Sequence, residues 1–106
     1  DSTNFKFISP KSIPYTTSDD VVMIEGLVPA KTVSYIEIND FRLWKFPKNG
    51  TYWKYFANKQ FWNLQDGLNV YEVKYFAEDG KLLHKNAFTI VKTPEWALQS
   101  QTWSKQ

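Results

Sequence analysis

From Val21 to Lys92 the apolar residues return at every second position, and each run is closed by turn-forming residues. Alternation of this kind places successive side chains on opposite faces of an extended strand, so one face can be buried while the other meets water. No stretch in this region shows the 3.6-residue spacing of an amphipathic helix. Short strands with turn signals at regular intervals resolve into a two-sheet sandwich or a small barrel, because a single sheet would leave its apolar face wet.

Phe5–Ile8 opens as a short strand, and Pro10 and Pro14 limit its ladder, which predicts an edge or bridging strand. Tyr15–Asp20 reads as a polar connection. Val21–Gly26 follows, with Val22 and Ile24 on one face; Val33–Ile38 places Ile36 and Ile38 on the core face. Asn39-Asp40 is a tight turn, since both residue types tolerate positive φ. Phe41–Trp44 returns as the hairpin partner, and Pro47–Gly50 turns the chain again. Thr51–Ala57 sets Trp53 and Tyr55 on one face and Tyr52 and Phe56 on the other. Phe61–Leu64 fits either a short strand or a turn of helix. Asn69–Ala77 is the clearest strand, with Tyr71, Val73 and Tyr75 on one side; both tyrosines are expected to be buried. Glu78-Asp79-Gly80 makes a hairpin turn, and Lys81–Val91 closes the series. Three segments result: residues 1–20, an edge strand and connection; residues 21–92, the sandwich core; and residues 93–106, a linker or docking segment in which Thr93-Pro94-Glu95 suits a helix start.

A chain of 106 residues suits one domain, and without cysteine it can form neither a disulfide nor a thiolate metal site. No run approaches the roughly 20 apolar residues that span a bilayer, so membrane association is expected only through segments outside this sequence. The start, Asp1-Ser2-Thr3-Asn4, has neither the basic nor the apolar region of a signal peptide and no initiator Met, which reads as a processed or excised segment. A formal net charge of +2 is too mild to imply a polyanion. Nucleic acid is therefore not expected as a partner.

Reactive constellations are sparse. His84 is the single histidine and would have to serve any Ser-His-Asp triad or zinc site. It lies between Leu83 and Lys85 with no nucleophile motif nearby and reads as a surface or edge residue. Asp19-Asp20 and Glu78-Asp79 lack the spacing of a calcium loop and read as solvated turns. A Lys–Asn isopeptide link would have to join Lys6 to Asn86, but Lys6 lies between Phe5 and Phe7 and is expected to face outward. Catalytic and metal residues are assigned to none, and no cofactor is expected.

The compositional anomaly is aromatic: five Trp, six Tyr and eight Phe make 18% of the chain. They concentrate in Phe41–Gln65, which also holds Arg42, Lys45, Lys48, Lys54 and Lys59 and no acid. Aromatic faces alternating with cations suit stacking and charge-assisted hydrogen bonding to a ligand. The plainer reading makes half of the rings core and the lysines guards of an exposed strand edge. The candidate ligand or partner surface is Arg42, Trp44, Lys45, Tyr52, Trp53, Lys54, Tyr55 and Trp62. A coplanar row of exposed rings among Trp44, Trp53, Tyr55 and Trp62 would favour a sugar; burial of those rings would remove that reading.

One stretch carries a resemblance. Leu64-Gln65-Asp66-Gly67-Leu68-Asn69-Val70-Tyr71-Glu72-Val73 resembles the L-x-x-G-x-N-x-aromatic-x-V pattern of bacterial immunoglobulin-like modules of the glucodextranase accessory-domain type. Ile36–Asp40, Val22-x-Ile24-x-Gly26 and Ala77–Gly80 are similar to other strands and hairpins of the same modules. Asp40 stands where those modules usually have Gly, and the stretch from Gly50 to Leu64 is longer than usual. The resemblance implies an all-β, immunoglobulin-like antiparallel β-sandwich of about seven strands. Its motif residues would be Gly26, Asn39, Leu64, Gly67, Asn69, Tyr71, Val73 and Gly80. It also implies a non-catalytic structural or adhesive module of a larger bacterial surface or secreted protein, extracellular, contacting neighbouring domains or other surface proteins. The alternative is a carbohydrate-binding module that uses the exposed aromatic and basic residues on a glycan.

Overall fold

The computed structural model describes residues 5–94 together with Trp96. Eight strands follow one another: β1 (Lys6–Ser9), β2 (Tyr15–Thr17), β3 (Val21–Leu27), β4 (Tyr35–Ile38), β5 (Phe41–Arg42), β6 (Tyr52–Asn58), β7 (Gly67–Phe76) and β8 (Leu82–Lys92). They form a three-stranded sheet in the order β1-β3-β6 and a five-stranded sheet in the order β2-β8-β7-β4-β5. Non-sequential neighbours within each sheet mean that the chain crosses repeatedly between layers, as in an immunoglobulin-like sandwich.

The strand count exceeds the expected seven because Tyr15–Thr17, read as a polar connection, is a strand. It pairs parallel to β8, with Tyr15 opposite Ile90 and Thr17 opposite Lys92. Its ladder comes from a partner some 75 residues away in sequence, so local composition carries no sign of it. β1 lies on the edge of the other sheet, with Lys6 opposite Leu27. Residues 10–14 thus bridge the two layers, as the prolines indicated. Phe61–Leu64 is not a strand: Lys59–Phe61 forms one turn of 3-10 helix, capped by the Asn58 side chain.

Alternation sorts the core as expected. Val22 and Ile24 of β3, Ile36 and Ile38 of β4, and Tyr71, Val73 and Tyr75 of β7 are all buried between the sheets. The largest buried side chain is Trp53 of β6. It faces Gly26 directly across the β3–β6 ladder. A Cβ at Gly26 would run into the indole ring, so the glycine leaves the slot that the ring fills. Burying an aromatic of this size removes about 150–250 Å² from water, a gross gain of about 4–6 kcal/mol as an upper bound.

The L-x-x-G-x-N-x-Y motif acts through hydrogen bonds. Gly67 opens β7 at φ 90°, a left-handed conformation that costs glycine little. Asn69 accepts from the Gln65 N–H and donates to the Gln65 and Gly67 carbonyls, at 2.8, 2.8 and 3.1 Å. Tyr71 donates its hydroxyl to the Asn63 carbonyl at 2.5 Å, spanning eight residues back along the chain. Leu64 is buried beside it. This is the tyrosine corner of sandwich folds, which ties the connection between sheets to the first turn of the receiving strand. On the other edge Asn39, at φ 47°, accepts from the Glu72 N–H and donates to the Val70 carbonyl. Val73 lies opposite Ile38 and Gly80 closes the β7–β8 turn by donating to the Ala77 carbonyl.

The connections fall at two poles. Phe5 and the 77–81 hairpin lie at one, where Phe5 packs on Tyr75 and His84. At the other lie the end of β8, the 18–20 and 59–66 connections and the start of β7. They are tied together by Lys92, whose buried ammonium reaches Asp20 at 3.2 Å and Asp66 at 3.8 Å. The described chain therefore enters at one pole and leaves at the opposite one. Most of residues 93–106, read as a linker or docking segment with a helix start at 93–95, lies outside the described residues.

Candidate partner surface

The eight candidate surface residues do not form one platform. Trp53 is only 2% exposed, so it is corrected from surface to core; the face it shares with Tyr55 points inward because β6 pairs with β3 through that register. Tyr55 is half-buried, with its ring against Phe41 and Tyr71, and its hydroxyl accepts from the Asn63 amide at 2.8 Å. Of the four rings Trp44, Trp53, Tyr55 and Trp62, only Trp44 and Trp62 are exposed, at 73% and 84%. The row of four rings that would mark a sugar platform is absent.

Arg42 and Trp44 belong to a stacked ladder on the outer face of the five-stranded sheet. The Arg42 guanidinium lies over the Tyr35 ring at 4.4 Å and the Trp44 ring at 4.7 Å. Tyr35 in turn stacks on Phe76, with centroids 4.8 Å apart. Cation–π contacts at exposed sites contribute about 0.5–1 kcal/mol each, a modest bias towards this placement of Trp44. Tyr35 and Phe76 were missed from the sequence because the register of β4 on β7 brings them together over a long separation.

Tyr52, Lys54 and Phe56 lie along the outer face of β6. The Tyr52 hydroxyl is hydrogen-bonded to the Glu25 carboxylate, which raises the phenol pKa above its ordinary value because an ionised phenol would face a second anion. Lys54 faces Glu25 across the ladder, with its ammonium near the Phe56 ring.

Between β6 and the chain that follows β5 runs an open groove of about 1140 Å³. Phe41, Trp44, Phe46, Tyr52, Phe56 and Phe61 supply its aromatic walls, and Lys45 and Lys54 are the charged residues that line it. No carboxylate lines it. A shallower depression of about 400 Å³ continues past Phe41 and Tyr55 to Trp62, Leu68 and Val70. Trp62 closes the 3-10 turn at φ 69° and ψ 8°. A bulky residue in that left-handed region is uncommon and strained, and here it presents its ring to solvent.

Chemistry is sparse elsewhere. His84 stacks on Phe5 at 4.7 Å. Among the described residues no group of three His, Cys, Asp or Glu side chains is placed to hold a metal. Lys6 is exposed, as expected. Asn86 accepts from the Tyr75 hydroxyl and donates to the Phe5 carbonyl. Burial raises the Tyr71 and Tyr75 phenol pKa values, with the Tyr55 hydroxyl adding to the first, and the Asn86 and Trp53 side chains opposing the second. The Trp53 indole N–H makes no hydrogen bond of good geometry, although it lies close enough to the Tyr75 oxygen to favour its ionised form.

The fold and its surface define the class: a two-sheet, all-β sandwich of the immunoglobulin and fibronectin type III kind. No family model and no curated protein matches the chain. Among solved structures it is similar to the fibronectin(III)-like modules of CbhA from Clostridium thermocellum, with 12% identity, a TM-score of 0.54, and coverage of 86% of this chain and 99% of that one. At that identity the likeness shows the fold.

Proposed function

We propose that the chain is a non-catalytic, immunoglobulin-like structural or adhesive module of a larger exported bacterial protein. In this reading it positions neighbouring domains and contacts them, or other surface proteins, through exposed aromatics. The observation that carries it is the division of labour among the side chains. The apolar residues close two sheets and the polar motif residues hold turns, while two of the most exposed rings lie together at the pole where β8 ends. Phe61 and Trp62 are 70% and 84% exposed, and Leu68 beside them is 67% exposed. A chain that enters at one pole and leaves at the other suits serial placement, and rings at the exit pole would meet whatever follows. The similarity to fibronectin(III)-like modules of CbhA supports the modular part of this reading, and the L-x-x-G-x-N-x-Y motif supports the bacterial immunoglobulin-like resemblance.

The test is an amide-resolved comparison of the module alone with the module in its parent protein. The expected result is a change confined to Phe61, Trp62, Leu68 and residues 93–94. An unchanged exit pole, or hydrolytic activity towards a glycan or peptide, would refute the proposal. The carbohydrate-binding alternative is weakened by the burial of Trp53, and Trp44 and Trp62 line different depressions.

A further inference from the structure

The groove beside β6 is more than an apolar depression, because a strand edge forms one of its walls. β6 has β3 on one side and, among the described residues, no strand on the other. Consecutive residues Tyr52 to Phe56, from both faces of the strand, line the groove, so it runs along that open edge. The Asn63 side chain occupies part of the edge. Its Oδ1 accepts from the Asn58 N–H at 2.6 Å and its Nδ2 donates to the Phe56 carbonyl at 3.0 Å. An amide held between those two groups does what a residue of a neighbouring strand would do. In an antiparallel ladder, alternate residues present their N–H and C=O to the same side. The Lys54 N–H and C=O and the Phe56 N–H therefore also point into the groove, beyond the reach of Asn63.

We infer that this groove accepts an extended peptide from an acidic partner, added as a fourth strand to the β1-β3-β6 sheet. The vacant side of β6 is where immunoglobulin constant-type domains carry a further strand of the same sheet, and strand addition at such an edge is an established mode of peptide recognition. The charge selects the occupant. Lys45 and Lys54 are the charged lining residues, so alternating carboxylates on the peptide would meet cations while the intervening apolar side chains lie on the aromatic walls. A second copy of the chain is disfavoured, because antiparallel pairing of β6 with itself brings the two Lys54 side chains into neighbouring positions. A glycan is disfavoured because Trp53 is buried and the Asn63 amide is already engaged. The inference is independent of the role given to the exit pole.

The experiment is an amide-resolved titration of the whole chain with a blocked heptapeptide, acetyl-Thr-Glu-Val-Glu-Phe-Glu-Thr-amide. Saturable changes at residues 52–56 and 41–47 are expected. The same peptide N-methylated at the residues that face β6 should bind at least tenfold more weakly, and this comparison leaves the protein unaltered. The pair Lys45→Glu and Lys54→Glu should weaken the acidic peptide at least tenfold and favour its lysine-substituted counterpart. No saturation below millimolar peptide would overturn the inference. So would indifference to N-methylation, tighter binding of oligogalacturonate, or self-association through β6.

Discussion

Adding one methyl group at Gly26 tests the core arrangement closely. In an ordinary strand a Gly→Ala change gains about 0.5–1 kcal/mol, because glycine loses more backbone freedom on folding. Here the new Cβ would meet the Cε2, Nε1 and Cζ2 atoms of Trp53 far inside any distance a real Cβ keeps. Gly26 is buried, the atoms the new Cβ would meet belong to a buried ring rather than to the end of a flexible side chain, and a shift of a few tenths of an ångström would not relieve the contact. Overpacking of this kind costs about 1–3 kcal/mol. If the ring is driven from its slot, the loss approaches the roughly 3–5 kcal/mol of a large aromatic truncation. Gly26→Ala should therefore destabilise by about 3 kcal/mol, lowering Tm by roughly 10–15 °C for a domain of this size. Denaturant unfolding followed by tryptophan fluorescence measures it. In a Trp53→Leu background the same change should cost under about 1 kcal/mol, because the clash is gone, and the cycle isolates the coupling. A neutral or stabilising Gly26→Ala in the native background would refute the facing of Gly26 and Trp53.

The same geometry sets the outcome of four other perturbations. Tyr71→Phe keeps the ring and removes the hydroxyl that bonds the Asn63 carbonyl; it should cost about 1–2 kcal/mol by equilibrium unfolding, whereas Tyr75→Ala should cost roughly 3–5 kcal/mol. Burial raises the phenol pKa values of Tyr71 and Tyr75, while in the unfolded chain both ionise near about pH 10. Deprotonation thus favours the unfolded chain, so this contribution is complete below about pH 10 and is lost as pH rises beyond it; phenolate absorbance should show these two tyrosines ionising only with unfolding. Trp62→Gly relieves a left-handed φ of 69° at an exposed position and should raise stability by about 0.5–1 kcal/mol, read as an increased denaturation midpoint.

Alternation made β3, β4, β7 and β8 legible because each has one dry face and one wet face, and side chains that share a face are fixed by position in the strand alone. The turn at Asn39-Asp40 was legible for a similar reason, since the φ values of 47° and 70° suit residues that tolerate the left-handed region. β2 was not, because three residues after a proline carry no pattern and the ladder comes from β8. The reason for Gly26 was hidden too: a glycine in a strand signals a close approach, but only the β3–β6 register names Trp53 as the ring that approaches it. The surface suffered most. Trp53 and Tyr55 were read on one face and also placed among ligand-facing residues; the structure keeps the first reading for Trp53. The Phe76–Tyr35–Arg42–Trp44 ladder and the Asn63 cap on β6 arise from tertiary proximity between chain segments, which no local spacing encodes.

Trp53 lies over Gly26 between the two sheets, while Trp44 and Trp62 face solvent. An indole-resolved hydrogen-exchange measurement addresses this directly. The Trp53 indole proton should exchange only through global unfolding, and the Gly26 Hα resonances should carry a large ring-current shift, while the Trp44 and Trp62 indoles exchange at close to the free rate. Fast exchange at Trp53 with unshifted Gly26 protons would contradict it.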